Sequence, residues 1–133
     1  MLFSGSLTAM LSGAVIVLVT ITVHELAHGY TAYLLGDNTA KNAGRLSLNP
    51  LAHLDPLGAI LLFVTGFGWA KPVPINPFYF KGSRSRGILL VSLAGPLSNV
   101  VLAFVLAMFV PLAARFNMSL AQIIASAIYL NIY

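Results

Sequence analysis

Cysteine is absent from the chain, which excludes disulfides and thiolate metal ligands and leaves any metal to nitrogen and oxygen donors. Charge is nearly as scarce: 8% of residues are charged, against about 25% in an ordinary soluble domain. The acidic residues are only three, Glu25, Asp37 and Asp55, and seven basic residues bring the net charge to +4. So few cations do not make a nucleic-acid surface, and no nucleic-acid partner is expected; they read instead as topology signals. No repeat or low-complexity segment is visible. What remains is apolar, with 59% of residues hydrophobic. Composition therefore predicts an all-α polytopic membrane protein, one membrane-embedded unit over residues 1–133, with the lipid bilayer as its surroundings.

The pattern of apolar runs predicts full spans at about 6–35 and 87–113 and a third helix at about 120–133. The N-terminus has no basic region and its apolar run is too long for a cleaved signal peptide, so the first span is expected to be retained. Small residues Ser4, Gly5, Ser12, Gly13 and Ala14 suit close helix packing, and Gly36 is placed to end the helix in a left-handed turn. Leu57 to Trp69 is too short for a span, which takes about 20 residues, and is interrupted by Gly58, Gly66 and Gly68. It is expected to be re-entrant, a hairpin that returns to the side it left. Trp69 to Phe78 carries alternate prolines, which forbid helix and favour an extended edge. Ser119 with Gln122 has the form of a capping box that opens the third helix. That helix is expected to stop part-way through the bilayer, leaving the core incomplete at its C-terminus.

Chemistry concentrates in Ile21 to Gly29, within the first span. Residues four apart share a helix face, so His24 and His28 can offer two imidazoles to one cation, with Glu25 turned about 100° away. This is the HExxH arrangement, in which two histidines hold Zn2+ and the glutamate stays free to act as general base. Ionisable groups inside an apolar span are costly, on the order of 2.5 kcal/mol or more for a charged group at the bilayer centre. That cost argues for a metal site over a structural accident. Two other polar features invite a role. Val73, Pro74 and Ile75 in the extended segment could pair with an unwound substrate backbone by strand addition, or form a rigid loop wedged against the helices. Asn99, in the polar island Ser92 to Asn99, could hold substrate or simply bond between helices. His53 and Asp55 lie in a turn-rich loop where such residues more often serve as hydrogen-bonding groups than as ligands.

Lys41, Arg45, Lys71, Lys81, Arg84 and Arg86 fall on one side if residues 57–69 are re-entrant, and the positive-inside rule makes that side cytoplasmic. HExxH then lies in the cytoplasmic half of the first span. A competing class is a non-catalytic metal-binding membrane module or an inactive fragment. A haem protein is disfavoured, because ligands four apart on one helix cannot take opposite axial positions.

Four motifs in order carry a resemblance: His24-Glu25-Leu26-Ala27-His28; Gly44 to Gly58, with Asn49-Pro50-Leu51-Ala52-His53-Leu54-Asp55-Pro56; Gly68-Trp69-Ala70-Lys71-Pro72-Val73-Pro74-Ile75-Asn76-Pro77; and Ala94-Gly95-Pro96-Leu97-Ser98-Asn99. The chain closely resembles the site-2 protease family of intramembrane zinc metalloproteases, most of all its small prokaryotic members. The resemblance implies a multi-pass cell-membrane enzyme that cleaves transmembrane segments of other membrane proteins, often in regulated signalling. It implies zinc on His24 and His28, catalytic Glu25, and a third ligand, an aspartate in an NxxPxPxxDG motif. These 133 residues do not contain that motif, so a two-histidine set would be short of the usual three protein ligands.

Overall fold

The computed structural model describes residues 7–65, 67–69, 71–116 and 118–132. The expected span start at Ser6, the small residues Ser4 and Gly5, Gly66, Ala70, Tyr133 and the capping side chain of Ser119 lie outside what is described. Among the described residues five helices follow in order: α1 Leu7–Leu34, α2 Thr39–Asn42, α3 Pro56–Thr65, α4 Arg84–Phe116 and α5 Met118–Ile132. Short 3₁₀ turns occupy Pro50–Ala52 and Pro77–Tyr79.

Among the described residues two helices are long and apolar enough to cross a membrane, Leu11–Leu34 and Arg84–Leu112. They pack on one another, and α5 packs on both. The second long helix begins at Arg84, three residues before the Gly87 start expected from hydropathy. Ser83 accepts from the amides of Arg86 and Gly87 through its side chain and carbonyl respectively, so a polar turn extends the helix beyond its apolar stretch. Pro96 and Pro111 lie inside α4 without ending it, as membrane helices tolerate. The third helix likewise starts at Met118, just before the expected cap at Ser119. Asn131 on α5 donates to Thr20 Oγ1 of α1 at 3.2 Å, tying the last helix to the first one turn before His24.

Two glycine stops shape the loop region. At the end of α1 the Asp37 amide bonds the Ala32 carbonyl and the Gly36 amide bonds Tyr33, with Gly36 at φ 106°. After α2 the Arg45 amide bonds Ala40 and the Gly44 amide bonds Lys41, with Gly44 at φ 70°. Both are left-handed glycine caps with the paired bonds of the Schellman motif. Each turns the next residue inward, and Asp37 and Arg45 are both buried.

Those two residues hold the extended segment. Asp37 accepts from the Asn76 amide at 2.7 Å, and Arg45 donates to the Pro72 carbonyl at 3.1 Å and to the Lys71 carbonyl. Arg45, read from the sequence as one of the topology charges, bonds its guanidinium to backbone carbonyls, since a buried cation needs acceptors. Upstream, α3 is followed by a chain that folds back on it. A Cβ on Gly68 would lie 2.3 Å from the Gly58 carbonyl oxygen, and one on Gly58 2.2 Å from that of Trp69, so both glycines permit the hairpin.

Asp37→Ala is expected to destabilise the fold by roughly 3 kcal/mol, the scale for a buried carboxylate losing several charge-assisted hydrogen bonds. Denaturant titration in detergent micelles measures it; an unchanged midpoint would show that the segment is held by other contacts.

Candidate metal centre

The histidine pair is built at the crossing of α1 and α4. Four-residue spacing on α1 sets the rings edge to face, with centroids 4.6 Å apart and planes at 79°. Their Nε2 atoms converge to 3.0 Å. Two nitrogens on one tetrahedral ion, with bonds of about 2.0–2.1 Å, lie roughly 3.3 Å apart, so the pair is close to a ligating separation already. His28 Nδ1 lies 2.6 Å from the Val91 carbonyl oxygen on α4. A carbonyl only accepts, so Nδ1 carries the proton and Nε2 presents its lone pair to the site. The acceptor is one residue before Ser92, whose carbonyl is the one left without a helical amide by Pro96.

Room for an ion comes from a missing side chain. A Cβ on Gly95 would stand 2.4 Å from His28 Nε2 and 2.6 Å from His24 Nε2. The absence of a side chain at Gly95, set against both imidazoles, thus has a chemical purpose. One turn further along α4, Asn99 is half-buried and its Oδ1 is buried without a donor.

Glu25 completes the cluster. Its carboxylate and the two imidazoles offer ligand atoms all within 4.8 Å of one another. Glu25 Oε2 accepts the Val73 amide at 3.1 Å, which ties the acid to the extended segment. Val73 also lies over Gly29 of α1, where a Cβ would be 3.2 Å from its Cγ1. Ile75 packs against the buried Ala32, Phe80 and Val91, whereas Pro74 is exposed. The segment is thus an anchored loop against α1, one of its two expected forms, and Val73 at least faces the acid. The donor set of two imidazoles and a nearby carboxylate, a gap kept open by Gly95 and an orphaned amide oxygen fit a divalent metal.

His53 and Asp55 are not drawn into this cluster. His53 is 1% exposed, with Nε2 2.8 Å from the Ser47 carbonyl and Nδ1 3.4 Å from Arg45 Nη2. Asp55 accepts from Trp69 Nε1 at 2.8 Å and from the amides of Leu57 and Gly58 at the start of α3. The hydrogen bond from the Trp69 indole holds its carboxyl below the usual carboxylate range against the opposing effect of desolvation, with lesser help from those amides and Lys71. Both are structural residues of the loop. Asp37 and Arg45 were not anticipated as supports of the site; the available signal was that each directly follows a glycine able to stop a helix.

A helical chain with an HExxH pair in a helix long and apolar enough to cross a membrane fits the metalloprotease class. The chain is 59% identical over 88 residues to the Bacillus subtilis protein named "Putative zinc metalloprotease YwhC", covering 66% of this chain and 40% of that protein. It is also 33% identical over 94 residues to "Putative zinc metalloprotease Rip2" of Mycolicibacterium smegmatis and 35% identical over 95 residues to the Rip2 of Mycobacterium tuberculosis, each match covering 67% of this chain and 36% of the relative. The chain belongs to the family of these proteins, the site-2 protease family. The matches span about two fifths of the length of these relatives. No protein-family model matches the chain, and no solved structure matches it.

Gly95→Ala is expected to place a methyl group between the imidazoles and cut bound zinc by at least tenfold with helicity unchanged, read by metal analysis and circular dichroism; retained zinc would remove the role given to Gly95. Because the Asp55 carboxyl is depressed in the folded state, its contribution to stability is present above the ordinary carboxylate pKa of about 3.9 and is lost as pH falls through the lower folded value. Unfolding monitored at Trp69 between pH 6 and 2 should therefore show an acid-side loss that Asp55→Asn abolishes.

Proposed function

We propose that this chain is the core of an intramembrane zinc metalloprotease that hydrolyses peptide bonds within transmembrane segments of other membrane proteins. The observation that carries the reading is the convergence of His24 and His28 Nε2 at 3.0 Å, with Glu25 beside them, in a helix apolar enough to cross a membrane. The names of the relatives support zinc as the metal and proteolysis as the reaction.

In this reading His24 and His28 hold the ion, with Asn99 Oδ1 a further polar group at its side. When bound, zinc supplies Lewis acidity that acidifies water and polarises the scissile carbonyl. Glu25 accepts the proton of the attacking water and passes it to the leaving amine. The Val73 amide holds one carboxylate oxygen and so fixes the acid beside the imidazoles, with ligand atoms of all three residues within 4.8 Å of one another. A helical substrate has its carbonyls already bonded and must unwind locally; the Val73 to Ile75 stretch is the surface along which an unwound strand would lie. Six of the seven basic residues, Lys41 to Arg86, precede or open α4, while Arg115 lies near its far end. This asymmetry supports a multi-pass cell-membrane topology with the site toward the cytoplasm and residues 57–69 re-entrant.

Glu25→Gln in zinc-loaded protein should lower cleavage of a single-span model substrate in detergent by about 100-fold or more, the usual scale for loss of a general base, with zinc content unchanged. Full activity in that variant would refute the assigned role.

A further inference from the structure

Arg45 and His53 are the two buried polar side chains of the loop between α2 and α3, and their bonds run in an unbroken line to Glu25. His53 Nε2 lies 2.8 Å from the Ser47 carbonyl oxygen. A carbonyl only accepts, so Nε2 carries the proton and Nδ1 presents its lone pair to Arg45 Nη2 at 3.4 Å. The same Nη2 donates to the Lys71 carbonyl, and Nη1 donates to the Pro72 carbonyl at 3.1 Å. Arg45 Nε is buried without an acceptor, so His53 and the two carbonyls set the orientation of the guanidinium. The Pro72 carbonyl and the Val73 amide belong to one peptide group, which is planar. Its oxygen faces Arg45 and its N–H faces Glu25 Oε2 at 3.1 Å. A cation at the oxygen fixes that plane and polarises the group, which strengthens the N–H as a donor to the carboxylate.

We propose that Arg45, held in orientation by His53, is the positioning residue for Glu25, acting through the Pro72–Val73 peptide. The assignment rests on the protease reading only for the role of Glu25 as proton acceptor. Placement of such a group matters steeply, since a displacement of about 1 Å can cost about 100-fold in rate. The line from His53 to the acid lies in the interior, where water does not replace a lost partner: His53 is 1% and Arg45 6% exposed.

Two substitutions separate the two bonds of the imidazole. In His53→Asn the side-chain oxygen falls near the Nδ1 position and still accepts from Arg45, while the bond to Ser47 is lost. In His53→Gln the amide nitrogen falls near the Nε2 position and still donates to Ser47, while the acceptor for Arg45 is lost. Amide exchange in detergent, read residue by residue, should rise about tenfold or more at Val73 in His53→Gln and stay at the wild-type rate in His53→Asn. The Asn76 amide, held by Asp37, is the internal control and should stay protected in both variants. In parallel, kcat for a single-span model substrate should fall about tenfold or more in His53→Gln and less than about threefold in His53→Asn, with zinc content unchanged. Unchanged exchange at Val73 in His53→Gln, a joint rise at Val73 and Asn76, or a His53→Asn variant as impaired as His53→Gln overturns the proposal. With cleavage still abolished by Glu25→Gln, each of these leaves the protease reading intact. Wild-type protein supplies a measurement that needs no variant. Nitrogen-15 spectra of the three histidines at pH 8 should show the Nε2-protonated tautomer at His53, and a proton on Nδ1 overturns the proposal as well. Exchange and tautomer are read without cleavage, so an inactive wild type counts against the protease reading alone.

Discussion

A charged group taken out of water must find partners of fixed geometry, and in this chain that requirement organises the site. The segment Lys71 to Asn76 has two prolines and so lacks the donors with which a strand would join a ladder. Its position is set instead by three charged side chains reaching it from elsewhere. Glu25 takes the Val73 amide, Asp37 takes the Asn76 amide, and Arg45 supplies the Lys71 and Pro72 carbonyls. Charge satisfaction and backbone placement are one event here: the same bonds that make Asp37 and Arg45 tolerable in the interior hold an extended chain against the acid of the metal centre.

The crossing of α1 and α4 is the second half of the arrangement. His28 obtains its orientation from the Val91 carbonyl of the neighbouring helix, and Gly95 on the next turn withholds the one methyl group that would fill the gap between the rings. The centre is thus made by two helices whose contact surface is small at one point and polar at another.

HExxH, the length of the two apolar helices and the helix-ending glycine at Gly36 were all legible along the chain, because each depends on local spacing or on a backbone conformation that one residue type favours. The start of α4 was misplaced by one turn because hydropathy marks where a helix turns apolar, while Ser83 decides where it begins. The bonding of Arg45 was not legible for a related reason: the carbonyls that surround it come from residues 26 and 27 positions away. The modest expectation for His53 and Asp55 held, since both are spent on loop bonds.

What the sequence alone determined is the inventory and its periodicity: two imidazoles one turn apart, an acid between them, an apolar helix to carry them and a proline-spaced segment that cannot be helical. Those follow from covalent structure and from the 3.6-residue turn, which act over a few residues. Only the tertiary structure decided which carbonyl orients His28, why residue 95 carries no side chain, and which backbone amide holds Glu25. Each of these joins elements distant in the chain, and no local rule specifies which surfaces of two helices will meet.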